Sequence, residues 1–100
     1  MDVIMLGRRL RVARALRELS CRQLGALVGV HNATISRYEC GLIAKPRLPV
    51  LICIADVLEV SLSWLLSGDG LVTRCPAECA WVNDQLSRFA AVPLRYRRIG

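Results

Sequence analysis

An all-α fold is what this sequence predicts: a five-helix unit followed by one extra C-terminal helix. Three observations predict it. Leu, Val, Ile and Ala supply most of an apolar fraction of 54%, aromatic residues are few, and few segments alternate with the period of a strand. Apolar residues recur instead at spacings of three and four. Gly29, Gly41 and Gly68 close such runs, while Ser20, Asn32 and Ser61 stand where new ones open. One hundred residues suit a single small domain, or a core of about 65 to 70 residues with an appendage.

The first helix is expected over Val3 to Glu18, with Leu6, Leu10, Ala13 and Leu16 or Arg17 on one face and Arg8 and Arg11 on others. Ser20 and Gln23 have capping-box spacing, and Leu19 and Leu24 are placed as a hydrophobic staple, so a second helix starts there. It runs to Val28 and stops at Gly29, the residue that most easily turns left-handed. Asn32 then caps a third helix that reaches about Cys40 and ends at Gly41. Two short helices around a glycine-containing turn make a helix-turn-helix. Leu24, Val28, Val30 and Ile35 hold the pair together, and Gly25 lets the second helix come close. Asn32, Ala33, Ser36 and Arg37 point outwards.

A loop with Pro46 precedes a fourth helix, which tolerates Pro49 only in its first turn and turns Leu51, Ile54, Ala55 and Leu58 inwards. Ser61 caps a short fifth helix, stapled by Val60 against Leu65 and closed by Gly68. The compact unit therefore spans residues 1–68. The tract from 48 to 66 approaches the length of a membrane span, but Asp56 and Glu59 argue against one, since a mid-bilayer carboxylate costs roughly 2.5–3.5 kcal/mol.

The charge is +6, and 13 of the 14 cations are arginine, which suits paired contacts with phosphate or guanine. Basic charge by itself is equally compatible with a soluble domain that never meets nucleic acid. The apolar run before Arg8 is too short for a secretory signal. Five cysteines at 21, 40, 53, 75 and 79 do not make a complete disulfide framework, so reduced thiols in a cytoplasm are expected.

Taken together, "LGRRLRVAR", "LSCRQLGALVGVHNATISRYECG" and "KPRLPVLICIADVLEVSLSWLLSG" resemble the lambda-repressor-like helix-turn-helix family of phage repressors, Cro proteins and Xre-type regulators. The likeness covers Leu6 to Gly68. It rests on Arg14, Gly29, Ile35–Ser36, Glu39-x-Gly41, Pro46, Ile54–Ala55 and Trp64–Leu66 in order and spacing. Cys21 stands where the family often has Gln, and Gly25 where it usually has Ala.

The resemblance implies that the third helix enters the major groove of double-stranded DNA. The base-reading positions then fall at His31, Asn32, Ala33, Ser36 and Arg37. Asn32 can pair with adenine, Arg37 can fork onto guanine and Ala33 can touch a thymine methyl. Asn32 could equally be occupied as a cap, and His31 could be a turn residue or a phosphate ligand. Arg22 at the start of the second helix, with Lys45 and Arg47 in the loop, would hold phosphates. Arg14 and Glu39 would form a structural salt bridge. The implied function is a sequence-specific, phage-type transcriptional repressor, a homodimer on a two-fold symmetric operator.

Residues 69–100 lie outside the resemblance. They predict a helix with Pro76 in its first turn and Pro93 past its end, then a basic tail. Val82, Leu86 and Phe89 continue a stripe from Cys79, with Trp81 beside it. That face either packs on its own domain or forms the dimer interface, and the second is the expectation here. Cys75 and Cys79 are one helical turn apart. Two ligands alone rarely hold zinc, so no metal and no cofactor are expected. The rival function keeps the fold: an antitoxin that autoregulates its operon and binds a toxin through the C-terminal segment. An enzyme fits poorly, with one histidine, no nucleophile elbow and no phosphate-cradling glycine loop.

Overall fold

The computed structural model describes residues 2–91. Among these, six helices and no strand form: α1 (Val3–Leu16), α2 (Cys21–Val28), α3 (Asn32–Glu39), α4 (Leu48–Leu58), α5 (Leu62–Ser67) and α6 (Pro76–Ala91). The second and fifth helices begin as their sequences require. Ser20 Oγ accepts from the Gln23 amide while the Gln23 side chain accepts from the Ser20 amide, and Ser61 Oγ accepts from the Trp64 amide. Gly29 and Gly68 take left-handed conformations at φ 90° and 83° and close α2 and α5.

α1 ends two residues earlier than the apolar spacing suggests. Glu18 turns left-handed at φ 57°, and the Leu19 amide then bonds back to the Arg14 carbonyl. Glu59 does the same at φ 55° after α4, with the Val60 amide on the Ala55 carbonyl. Both are glycine-type helix stops made without glycine.

The core is built from leucines and isoleucines contributed by every helix of the first unit. Leu6 and Leu10 of α1, Leu24 of α2, Ile35 of α3, Leu51, Ile54 and Leu58 of α4 and Leu65 of α5 are fully buried. Burying each side chain contributes roughly 1.5–3 kcal/mol. α2 and α3 pack on each other, α1 lies across α3, α5 and α6, and α4 closes the unit against α2 and α5.

Two arginines of α1 and its C-cap, Arg17, tie it to other helices. Arg9 is buried, and its Nε and Nη2 donate to the carbonyls of Leu65 and Leu66 at 2.8 and 2.9 Å, at the carbonyl end of α5. Burial lowers its pKa, with Asp2 and Asp69 acting the other way. Arg14 forks onto Glu39 of α3 through Nε and Nη2 at 2.5 and 2.9 Å, and Nη1 donates to the Leu19 carbonyl. The hydrogen bond to Glu39 raises the Arg14 pKa against the opposing effect of burial. Arg17 donates to the Leu58 and Glu59 carbonyls at the end of α4 and pairs with Glu78 of α6 at 2.7 Å.

α6 corrects one expectation. The stripe expected to face a second copy turns onto its own chain: Val82 is fully buried, and Cys79, Leu86 and Phe89 pack against the same core. The Arg8 guanidinium lies 5.5 Å from the centre of the Phe89 ring. Of the four residues assigned to a dimer interface, Trp81 alone is exposed. The five-helix unit is therefore not closed at Gly68, because α1 carries a second apolar surface that α6 covers. Val72, in the connecting segment, joins that core. Pro93 and the basic tail lie outside the described residues.

The Arg17–Glu78 pair is expected to make the seating of α6 sensitive to acid. Arg17 holds the Glu78 carboxyl below its ordinary range, with a smaller contribution from Thr73. A carboxyl lowered on folding stabilises the fold at neutral pH, and that contribution is lost as pH falls through the lowered value. Amide exchange across α6 should report its loosening on the acid side, and Glu78→Gln should remove that pH-dependent step.

Candidate nucleic-acid interface

α3 has two unlike faces. Ile35 and Tyr38 are buried and hold it against the core, while His31, Ala33, Ser36 and Arg37 are exposed and Asn32 is half-buried. Ala33, Ser36 and Arg37 share one face by helical spacing. The structure thus presents the expected outward residues of α3 together, with Asn32 at their edge.

The cap of α3 corrects a second expectation. His31, not Asn32, is the N-cap: its Nδ1 accepts from the Ala33 amide at 3.0 Å, and Asn32 is the first helical residue. An unprotonated ring nitrogen accepts as an asparagine oxygen would. Capping therefore engages the imidazole and leaves the Asn32 carboxamide outside the cap. That answers the competing demand on Asn32, and it removes one ring edge of His31 from contact with a ligand.

The turn between the helices is tight. A Cβ on Gly25 would stand 2.6 Å from the Val30 carbonyl oxygen and 3.3 Å from the Asn32 amide nitrogen. Glycine at 25 is thus matched to a backbone that passes closer than alanine allows. Leu24 and Ile35 seal the pair at full burial, whereas Val28 and Val30 are half-buried at its edge.

Arg22, Lys45 and Arg47 are all exposed. Arg22 sits in the first turn of α2, where the capping box uses the Gln23 amide and dipole and remaining amides favour an anion. Lys45 and Arg47 lie in the segment between α3 and α4. The sequence from Leu19 to Ala55 contains a single carboxylate, Glu39, and that one is bound to Arg14. The α2–turn–α3 unit and its following loop therefore carry four exposed cations with no free acid among them, an arrangement suited to a polyanion.

Several groups are not free for such contacts. Arg9, Arg14 and Arg17 are held by partners inside the protein. Cys21 lies 3.8 Å from a Glu39 oxygen, and burial first, then the Glu39 charge, pushes its thiol up, so it stays protonated. Cys79 donates to the Thr73 carbonyl at 3.3 Å, and all five cysteines are unpaired. No three of His, Cys, Asp and Glu come together among the described residues. No helix among them is long and apolar enough to cross a membrane.

A family model described as a helix-turn-helix domain matches residues 5–65, from the start of α1 to within α5. The chain belongs to the helix-turn-helix domain family. An uncharacterized HTH-type transcriptional regulator of Bacillus subtilis, RghRB, is 33% identical over 72 residues, 72% of this chain and 52% of its own length. An uncharacterized HTH-type transcriptional regulator of Mycobacterium tuberculosis is 34% identical over 93 residues, 93% of this chain and 64% of its own. The chain thus spans between half and two thirds of the relatives it matches. No solved structure gives a significant match.

In this helix-turn-helix domain the residues that spacing did not single out are Gly7, Arg9 and Tyr38. Arg9 follows Leu6 by three and precedes Ala13 by four, so it lies on the buried face of α1, a position at which a cation calls for a partner. Tyr38 follows Ile35 by three on the buried face of α3. Gly7 carried no comparable signal, because its neighbours belong to a helix thirty residues away.

Proposed function

We propose that this chain is a sequence-specific DNA-binding transcriptional repressor that reads the major groove with α3. One observation carries the reading: α3 is braced from behind by Ile35, Tyr38 and the Arg14–Glu39 pair, and offers a polar, acid-free face between exposed cations. Asn32, Ala33, Ser36 and Arg37 supply base contacts, and Arg22, Lys45 and Arg47 supply phosphate contacts that set register. His31 acts chiefly as the cap that starts the reading helix. The helix-turn-helix family and the names of the relatives support the same reading.

A homodimer on a two-fold symmetric operator completes the proposal. A single α3 of eight residues reaches only a few base pairs, and each well-read pair discriminates by about 1–3 kcal/mol. Two copies one helical turn apart double the site. With Val82, Leu86 and Phe89 committed to the chain's own core, the second copy meets another surface.

The test is selection of bound sites from random duplexes at a stated salt concentration. A palindromic consensus is expected. Arg37→Ala should relax preference at one base pair per half-site, by about 1–3 kcal/mol, with the other positions unchanged. Unaltered affinity and preference in that variant would remove Arg37 from the readout, and no enrichment of any sequence would remove the function.

A further inference from the structure

We propose that Tyr38 is a positioning residue for DNA binding: its hydroxyl fixes the loop bearing Lys45 and Arg47 in register with the reading face of α3. The inference rests on the DNA-binding reading above and names the group that couples its two halves. The Tyr38 ring is buried, and its hydroxyl accepts from the Arg47 amide at 3.1 Å. Arg47 is the N-cap of α4, a helix that has no side-chain cap. At the other end of the loop, the Leu42 amide donates to the Arg37 carbonyl at 3.0 Å. The segment from 42 to 47 is therefore tied to α3 at both ends, at the Arg37 carbonyl and at the Tyr38 hydroxyl.

What lies between the two ties is stiff at its far end. Pro46 fixes its own φ and biases Lys45 towards extended backbone. Lys45 and Arg47 then move with the Tyr38 oxygen as a short lever, and both side chains are exposed at its end. Base contacts from α3 and phosphate contacts from this loop must fit one rigid duplex at the same time. Without the phenol oxygen, the Arg47 amide loses its protein partner and the cations lose their fixed offset from Arg37.

Tyr38→Phe keeps the buried ring and deletes only the oxygen. On the full chain and its selected duplex, this variant should bind roughly three- to tenfold more weakly, the worth of one hydrogen bond. The loss should be the same on every sequence, with base preference intact and the salt slope shallower by about one. In a Lys45→Ala Arg47→Ala background, Tyr38→Phe should cost nothing further, because both cations it positions are gone. Unchanged affinity, an altered base preference, or an equal loss in the Lys45→Ala Arg47→Ala background would each overturn the proposal. A purely structural hydroxyl would give that equal loss. Should the variant fold poorly, amide exchange on the wild-type chain decides: a protected Arg47 amide supports the tether, and a freely exchanging one overturns it. A wild-type chain that binds no duplex overturns the function as well, whereas a binder indifferent to Tyr38→Phe overturns this inference alone.

Discussion

Gly7→Ala is expected to destabilise the domain by about 2–3 kcal/mol, the upper part of the overpacking range, although alanine is the better helix former. A Cβ on Gly7 would stand within 2.4 Å of the Glu39 carbonyl oxygen and 2.6 Å of that of Tyr38. These are backbone atoms at the end of α3, so no side chain can swing aside. α1 would have to lift from α3 by most of an ångström, and the Arg14–Glu39 fork spans the same junction. Helix propensity returns about 1 kcal/mol, which is included in the net figure. For a domain of this size the loss corresponds to a fall in Tm of roughly 10–20 °C. Thermal melts followed by circular dichroism would show it, and an unchanged Tm would mean that the α1–α3 approach is looser than described. Because α3 is the proposed reading helix, DNA affinity should fall in Gly7→Ala even well below its Tm.

Gly7 also shows where the sequence stops being legible. Elements defined by local chemistry can be read directly: the Ser20–Gln23 box, the Ser61 cap, the stops at Gly29 and Gly68, and the inward face of α4 all rest on residues within one turn of each other. The α3 cap falls at His31 and not at the expected Asn32 for a local reason, since the two are adjacent and both offer an acceptor. Only the backbone conformation decides which stands half outside the helix. The destination of a face is harder. Cys79, Val82, Leu86 and Phe89 announce an apolar stripe on α6, but periodicity is silent on whether a second copy or the chain's own α1 covers it. The Arg17–Glu78 pair and the Arg8–Phe89 contact that help to seat α6 lie between residues 61 and 81 positions apart.

The candidate site was legible in a similar proportion. The exposed cations and the outward face of α3 follow from helical spacing, and the Arg14–Glu39 pair from resemblance. The commitment of Arg9 and Arg17 to carbonyls at helix ends does not, because a cation bound to backbone needs no complementary residue type. A charge of +6 therefore overstates what faces a ligand at one surface and understates how local that surface is.

Locality is what makes the second large effect expected. Lys45→Glu together with Arg47→Glu should weaken DNA binding at least about a hundredfold, since each replaces a charge-assisted contact of about 1.5–3 kcal/mol with repulsion. The salt slope should become shallower by about two. Base preference should persist, because the proposed reading face of α3 is untouched. Stability should hardly change: both side chains are exposed, and neither is hydrogen-bonded or ion-paired among the described residues. Arg74→Glu supplies the contrast. Arg74 is equally exposed but belongs to the segment before α6, not to α2, α3 or their following loop. If net charge alone drove binding, one reversal at Arg74 would cost about half as much as the pair. If the loop beside α3 meets the phosphates, Arg74→Glu should cost little while the pair nearly abolishes binding. Titrations of the three proteins against one duplex at several salt concentrations separate these outcomes, and comparable losses per charge would move the phosphate contacts off the loop that Tyr38 holds.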